Sequence, residues 1–447
     1  MKNKLIIILS VILLFMFYLG YRGYATYFLM TEASKLFQTQ GAEFFAKENS
    51  IWNIKIDNDN FPEYAKKFMP DEKYQKDITD IGNLIYDEKY IYGSFFESKL
   101  LEKTKKIIPN NLSDFKNSLI PVIKNKMESP KNDKQPTFKE CFELPGSPKS
   151  SLFRYTARYW YALSRYIEVN NKDSETSLLL GLAILYLSKD MITNYSQSFT
   201  SINRALCLSL YRNACDSMLI WASKPKNQYG SLSRRVAKDI LDFVKCEYPI
   251  SGLFENTKNS SDADFQILFK HFAKGWLRNY TKTSFYKEYL HLLYEKPQKF
   301  IDKPLYELEK ELSEMEKDER KVFRYFDSFQ TEPVKSILRV FFSTEDVVVS
   351  RFFVSKYPNL RKLKREYENT LAKMEFTAIA LVINSFYAEK NRLPGSIEEL
   401  SSWFGEDFPN NRLTGESYKL DLEGKHLLTN KEYFTQSENG LVFDFIR

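Results

Sequence analysis

The chain has three histidines and four cysteines, the residues best suited to bind a metal or act as nucleophiles, and their spacing supports neither role. His271, His291 and His426 are scattered, and none stands in a serine, cysteine or metal motif. His271 precedes Phe272 and His291 precedes Leu292-Leu293, contexts that favour a structural imidazole over a general base. The sequence holds no Cys-x-x-Cys pair, so a zinc site is not expected, and no other cofactor is. Cys207 and Cys215 fall eight apart in one predicted helix, about 12 Å along its axis, and cannot bridge each other. A hairpin about the Lys-Pro-Lys-Asn-Gln-Tyr-Gly turn near residue 227 sets Cys246 roughly level with residue 209. Cys207–Cys246 is therefore the candidate disulfide; the competing reading makes Cys141, Cys207, Cys215 and Cys246 four small buried hydrophobes. Glu309, Glu311, Glu314 and Glu316 look like a carboxylate cluster, but in a helix they point around most of the circumference and read as a solvated face. No catalytic constellation emerges, although acids that meet only in space are invisible at this level.

The elements that would position any site begin with an apolar run. Lys2 and Lys4 precede Leu5 to Tyr21, which holds no charge, and Arg22 closes it. Seventeen helical residues span roughly 25 Å, a little short of a typical hydrocarbon core, and the long Arg22 side chain can reach back to the interface. Tyr18, Tyr21, Tyr24 and Tyr27 supply an interfacial aromatic belt. The expectation is a single uncleaved anchor in the bilayer through residues 5–21, in the cytoplasmic membrane, with the body facing the periplasm or cell exterior. A cleaved signal peptide, a buried core helix and a type IV pilin-like leader are the alternatives; Gly23-Tyr24-Ala25 is a poor cleavage site, and no Gly-Phe-x-x-x-Glu processing site is present. No other run approaches membrane length, since Leu178–Leu187 is too short.

Beyond the anchor, 65 basic and 58 acidic residues are spread evenly, which argues against a nucleic-acid stripe. Aromatics at 16% with only 15 Gly and 16 Pro suit packed helices rather than disorder or a β-sandwich. Helical periodicity predicts elements near 60–69, 77–107 and 112–127. Pro130, Pro136, Pro145 and Pro148 then mark a linker over 128–150. Tyr155, Tyr159, Trp160, Leu163 and Tyr166 form an aromatic stripe read as core, and the run Leu178–Leu187, apolar nearly all round, must be central. Phe199–Trp221 and Val236–Val244 complete antiparallel pairs. Leu305, Leu308, Leu312 and Met315 make a narrow seam that stops at Glu319. The fold class expected is mainly α: an N-terminal transmembrane helix, a multi-helix body of antiparallel hairpins and a small α+β C-terminal module. The corresponding regions are 1–27, 28–127, the linker 128–150, 151–373 and 374–447.

The tail changes character. A helix from Phe376 through Phe386-Tyr387 leads into Asn391-Arg392-Leu393-Pro394-Gly395, and Ser396 with Glu399 forms a capping box before Ile397 and Leu400. Asn410-Asn411-Arg412-Leu413-Thr414-Gly415 is turn chemistry, and the stretches beginning at Tyr418 and Gly440 alternate as short strands. This order resembles the C-terminal half of the major pseudopilins of type II secretion, with Tyr387, Pro394, Ser396, Leu400, Thr414, Gly415 and Tyr418 at matching positions. Asn391 and Arg392 stand near the usual Gly, Asn410 replaces the turn Asp, and the calcium-binding loop is missing, so calcium binding is not implied. The whole chain also resembles a group of bacterial single-anchor helical proteins of uncharacterised activity, through Tyr64-Ala65 and through Arg154, Ala157, Arg158 and Arg165. The resemblance implies a place in an architecture and no activity; the anchor, the stacked helices and the absence of a recognisable site point to a non-enzymatic extracytoplasmic scaffold with an envelope protein partner. An accessory role in a secretion or pilus-like assembly, and an envelope hydrolase with an acidic site, stand as alternatives.

Overall fold

The computed structural model describes residues 9–18, 20–21, 24, 61–86, 94–109, 112–128, 150–171, 173–194, 201–223, 229–247, 250–255, 257–258, 289–331, 360–421, 426–428 and 442–444. The protein is mainly helical. The proline-rich stretch expected as a linker, Cys141 and His271 lie outside the described residues. Helix α1 is Leu9–Tyr18. Next come α2 (Glu63–Lys66), α3 (Gln75–Tyr86), α4 (Ser94–Lys105), α5 (Leu112–Glu128) and α6 (Ser150–Tyr166). Asp173 then caps α7 (Ser174–Thr193), its carboxylate accepting from Thr176 N at 3.0 Å. After it run α8 (Ser201–Ala222), α9 (Gly230–Lys245), α10 (Glu309–Thr331) and α11 (Leu360–Lys390). Position 373 falls inside α11, which is one uninterrupted helix. Last is α12 (Ile397–Phe404), where Ser396 accepts from Glu399 N at 3.2 Å and Gly405, at φ +87°, closes the C-terminus in the left-handed region.

Contacts divide the chain into two compact units. The larger holds Lys55–Pro249, Pro304–Glu307 and Leu363–Arg447. Its centre is α7, apolar nearly all round and therefore buried on every side. Pairings of Ser174 with Trp221, Gly181 with Met218 and Ser188 with Cys207 run in opposite directions, so α7 and α8 are antiparallel. Small residues let the helices approach. Ser164 Oγ lies 2.7 Å from Ser217 Oγ and 2.9 Å from Ser177 O, pinning α6, α7 and α8 together. Buried indoles find acceptors, Trp221 on Ser174 O at 2.7 Å and Trp160 on Phe68 O at 3.2 Å. Helix α11 packs along α8 and α9 through Asn384 on Ala222 O, Ser385 on Gly230 O and Ser233 on Leu381 O. Three strands of three residues each (β1, Lys419–Asp421; β2, His426–Leu428; β3, Val442–Asp444) make an antiparallel sheet in the order β1-β2-β3.

The smaller unit holds Met1–Ile54, Ile250–Lys303 and Leu308–Lys362. The seam on α10 does not stop at Glu319. Leu308, Leu312, Met315, Glu319 and Val322 are all buried, and Glu319 tolerates its place because Arg361 Nε approaches at 3.8 Å.

Two further expectations need correction. Among the described residues, α7 and α11 are the helices long and apolar enough to cross a membrane, contrary to the expectation that no run beyond the N-terminal one approaches that length; α1, described over Leu9–Tyr18, is a shorter apolar helix. Their apolar windows are 89% and 83% buried, as core helices are, because neighbouring helices cover them. The Cys207–Cys246 bridge is absent: Cys207, Cys215 and Cys246 are free thiols. Cys207 turns inward, its Sγ 3.4 Å from Ser188 O, whereas Cys246 caps the end of α9 and is exposed.

Candidate functional site

Helix α11 carries Lys364, Glu368 and Glu375 along one stripe, with Lys364 and Glu375 about three turns apart. All three side chains are almost wholly buried. Charges there need partners. Lys364 Nζ bonds Glu368 Oε1. The remaining cation comes from a tight turn after α12. Asn411 O accepts from Thr414 N at 3.2 Å and Gly415 N at 2.7 Å, and Asn411 Oδ1 accepts from Leu413 N at 2.9 Å. Gly415 sits at φ +75°, where an added Cβ would lie 3.0 Å from the Tyr306 ring, so glycine suits both its backbone and its space.

That turn delivers two side chains to the stripe. Arg412 Nε donates to Glu375 Oε1 at 2.6 Å, and its Nη1 lies 3.5 Å from Glu368 Oε2. The Tyr418 hydroxyl lies 3.2 Å from Glu375 Oε2 and 3.4 Å from Ala372 O. Burial pushes Glu375 up to about 7 against the pull of Arg412 and Tyr418. Arg412 offsets that burial only in part, because it is shared between two carboxylates and keeps 29% of its side chain in solvent, while Glu375 keeps none. Burial also raises Tyr418 well above the usual phenol range. The network continues along α11 to Tyr367, whose ring faces Arg204 at 5.3 Å. Arg204 pairs with Glu247 at 2.5 Å, and Tyr211 donates to the same carboxylate at 3.4 Å. Such a chain of alternating charges locks helices and turn together. Its acids are sealed from any substrate.

A second polar cluster lies where α2, α5 and α7 meet. Asp190 Oδ2 accepts from Tyr64 OH at 2.6 Å and Lys126 Nζ at 2.7 Å, and Lys126 stands 4.2 Å over the Tyr64 ring. Tyr186 donates to Asp239 at 2.6 Å beside it. An open groove of about 310 Å³ separates α9 from the end of α12, lined by Ser231, Arg234, Arg235, Lys238, Phe404 and Glu406. Its cations are engaged. Arg234 donates to Phe404 O at 2.8 Å and Trp403 O at 3.2 Å, Lys238 lies 3.4 Å from Glu406, and Arg235 lies 3.3 Å from Glu128. Among the described residues no group of His, Cys, Asp and Glu could hold a metal ion. His291 is exposed in a π-helical turn, 3.4 Å from Glu295.

Of the tail residues singled out in the sequence, Ser396 caps α12, Leu400 and Pro394 are buried, and Tyr387 O receives Asn391 N at 2.8 Å. Thr414 Oγ1 accepts from Glu416 N at 3.2 Å, while Gly415 and Tyr418 belong to the charged cluster's turn. The pairing of Glu368 and Glu375 with Arg412 carried no sequence signal, because it joins positions far apart in the chain. Tyr64 carried one, as part of its motif; its partner Asp190 did not. Of the arginine motif, Arg158 lies across α3 where Gly82 leaves room, since a Cβ there would meet its guanidinium carbon at 2.3 Å. No family model, no curated protein and no solved structure matches the chain.

Proposed function

We propose that the protein is a membrane-anchored helical scaffold that holds an envelope protein partner and has no catalytic activity of its own. Residues 5–21 lie in the bilayer as a single span of the cytoplasmic membrane, and the body faces the periplasm or cell exterior. The observation that carries the anchor is the exposure of α1: Leu14 is 71% and Phe17 75% exposed, with Val11, Ile12, Leu13 and Met16 also bare. Apolar side chains without protein cover need another apolar phase, and hydrocarbon supplies it. The other two apolar helices already have cover inside the fold. The sealed state of Glu368 and Glu375 weighs against an acidic hydrolase site, which must admit substrate.

Alkaline carbonate extraction tests the anchor. The protein should remain with membranes, and Leu14→Lys with Phe17→Lys should release it. A wild-type chain found in the wash refutes the anchor. Protease shaving of spheroplasts, stripped of any outer membrane, then tests the side: a body left uncut until the cytoplasmic membrane is lysed would place it in the cytoplasm and remove the envelope partner. The resemblance of the tail to pseudopilins supports a second reading, an accessory role in a secretion or pilus-like assembly, which unchanged secretion and fibres in a deletion strain would overturn.

A further inference from the structure

Glu375 has two complete sets of hydrogen-bond partners, one for each protonation state. As a carboxylate it accepts from Arg412 Nε on Oε1 and from Tyr418 OH on Oε2. As an acid it can donate through Oε2 to the Tyr418 oxygen, while the Tyr418 hydroxyl turns to Ala372 O, already 3.4 Å away. Arg412 Nε still has Oε1 to bond in either case. Both states are thus accommodated without moving the backbone.

The charged and titratable groups facing Glu375 are Glu368 on its own helix and Arg412 and Tyr418 on the turn. Lys364 is committed to Glu368. Helix α8 meets this stretch through Arg212 paired with Glu366 and Asp216 paired with Lys373, and the 304–307 segment adds the Tyr306 ring against Gly415. Two carboxylates therefore compete for one partly solvated guanidinium.

We propose that the turn from Asn411 to Tyr418 closes on α11 as a proton-linked latch, one proton from solvent binding Glu375 Oε2 as the turn docks. Opening the turn returns Glu375 to water, where its affinity for a proton falls to that of an ordinary carboxyl. The closed form then holds more protons than the open one between about pH 5 and 7. Docking is tightest near pH 5 and weakens as the pH rises through 7, the sign required for a carboxyl whose proton affinity is higher when buried. This link does not depend on the scaffold reading or on the side of the membrane the body faces.

Amide hydrogen exchange of the full-length protein in detergent, followed over residues 405–418 from pH 5 to 9 and corrected for intrinsic chemistry, tests it. The opening equilibrium of the wild type should increase on the order of a hundredfold across that range. Glu375→Gln, which imitates the protonated form, should stay closed and lose the dependence. A flat wild-type profile, or a Gln variant that keeps the slope, overturns the proposal. Should Glu375→Gln fail to fold, the infrared carboxyl band of wild type decides: a protonated buried carboxyl at pH 6 that disappears by pH 9 supports the latch, and its absence at pH 6 refutes it.

Discussion

Replacing Arg412 by methionine keeps most of the apolar stem and removes the one guanidinium that Glu368 and Glu375 share. Breaking a buried pair by deleting one partner generally costs about 3–5 kcal/mol, because the survivor stays desolvated and unmatched. Two features place Arg412→Met near the lower end, at about 3 kcal/mol. Arg412 is 29% exposed, so water already screens part of its attraction. Glu375 can also take up a proton and shed its charge. If that account holds, Glu375→Gln in the Arg412→Met background should restore about 2 kcal/mol, because no unmatched charge then remains beside Glu368 and Lys364. Urea titration followed by tryptophan emission measures the four corners of this cycle, since Trp160, Trp221 and Trp403 all lie in the larger unit. The reasoning fails if Arg412→Met shifts stability by less than about 0.5 kcal/mol, or if the two substitutions are simply additive.

Ser396→Ala should cost about 1 kcal/mol and speed amide exchange over Ile397–Phe404, whereas Ser396→Asp should restore protection; equal exchange in all three would remove the cap from the argument. Cys246 should react with a maleimide in the folded protein, while Cys207 and Cys215, both buried, should react only after unfolding. Protection of Cys246 that reductant relieves would restore the disulfide expected from sequence. Trp221→Phe leaves Ser174 O without its indole donor and should cost about 1–2 kcal/mol, read as a lower urea midpoint at unchanged slope.

What the sequence disclosed depended on how far apart the interacting residues lie. The cap on α12 was legible because Ser396 and Glu399 meet within one turn. The burial of α7 was legible because Leu178–Leu187 offers no polar face. Tyr159, Trp160 and Leu163 are core, as their helical spacing implied. The length of α11 was missed at its start: charged residues over 361–368 masked a helix that begins at Leu360, and Lys364 and Glu368 are inside because they neutralise each other one turn apart. The same cancellation hid the continuation of the α10 seam, where Glu319 reads as a break until Arg361 is placed beside it. The charged cluster was illegible for a different reason. Arg412 and Glu375 are separated by an entire helix and its flanking turns, and nothing in either neighbourhood announces the other.

The larger unit is assembled from stretches of chain that leave the ribosome at different times. Helices α6 to α9 end at Lys245, yet α11, which seals α8 and α9, begins only at Leu360. At roughly 5–20 residues per second, the ribosome needs on the order of ten seconds to cover the interval. For that time the faces of Ala222, Gly230 and Ser233 that will receive α11 stand uncovered. A nascent chain halted between these points lacks the segment that covers this face, so folding of the unit finishes only once α11 has emerged.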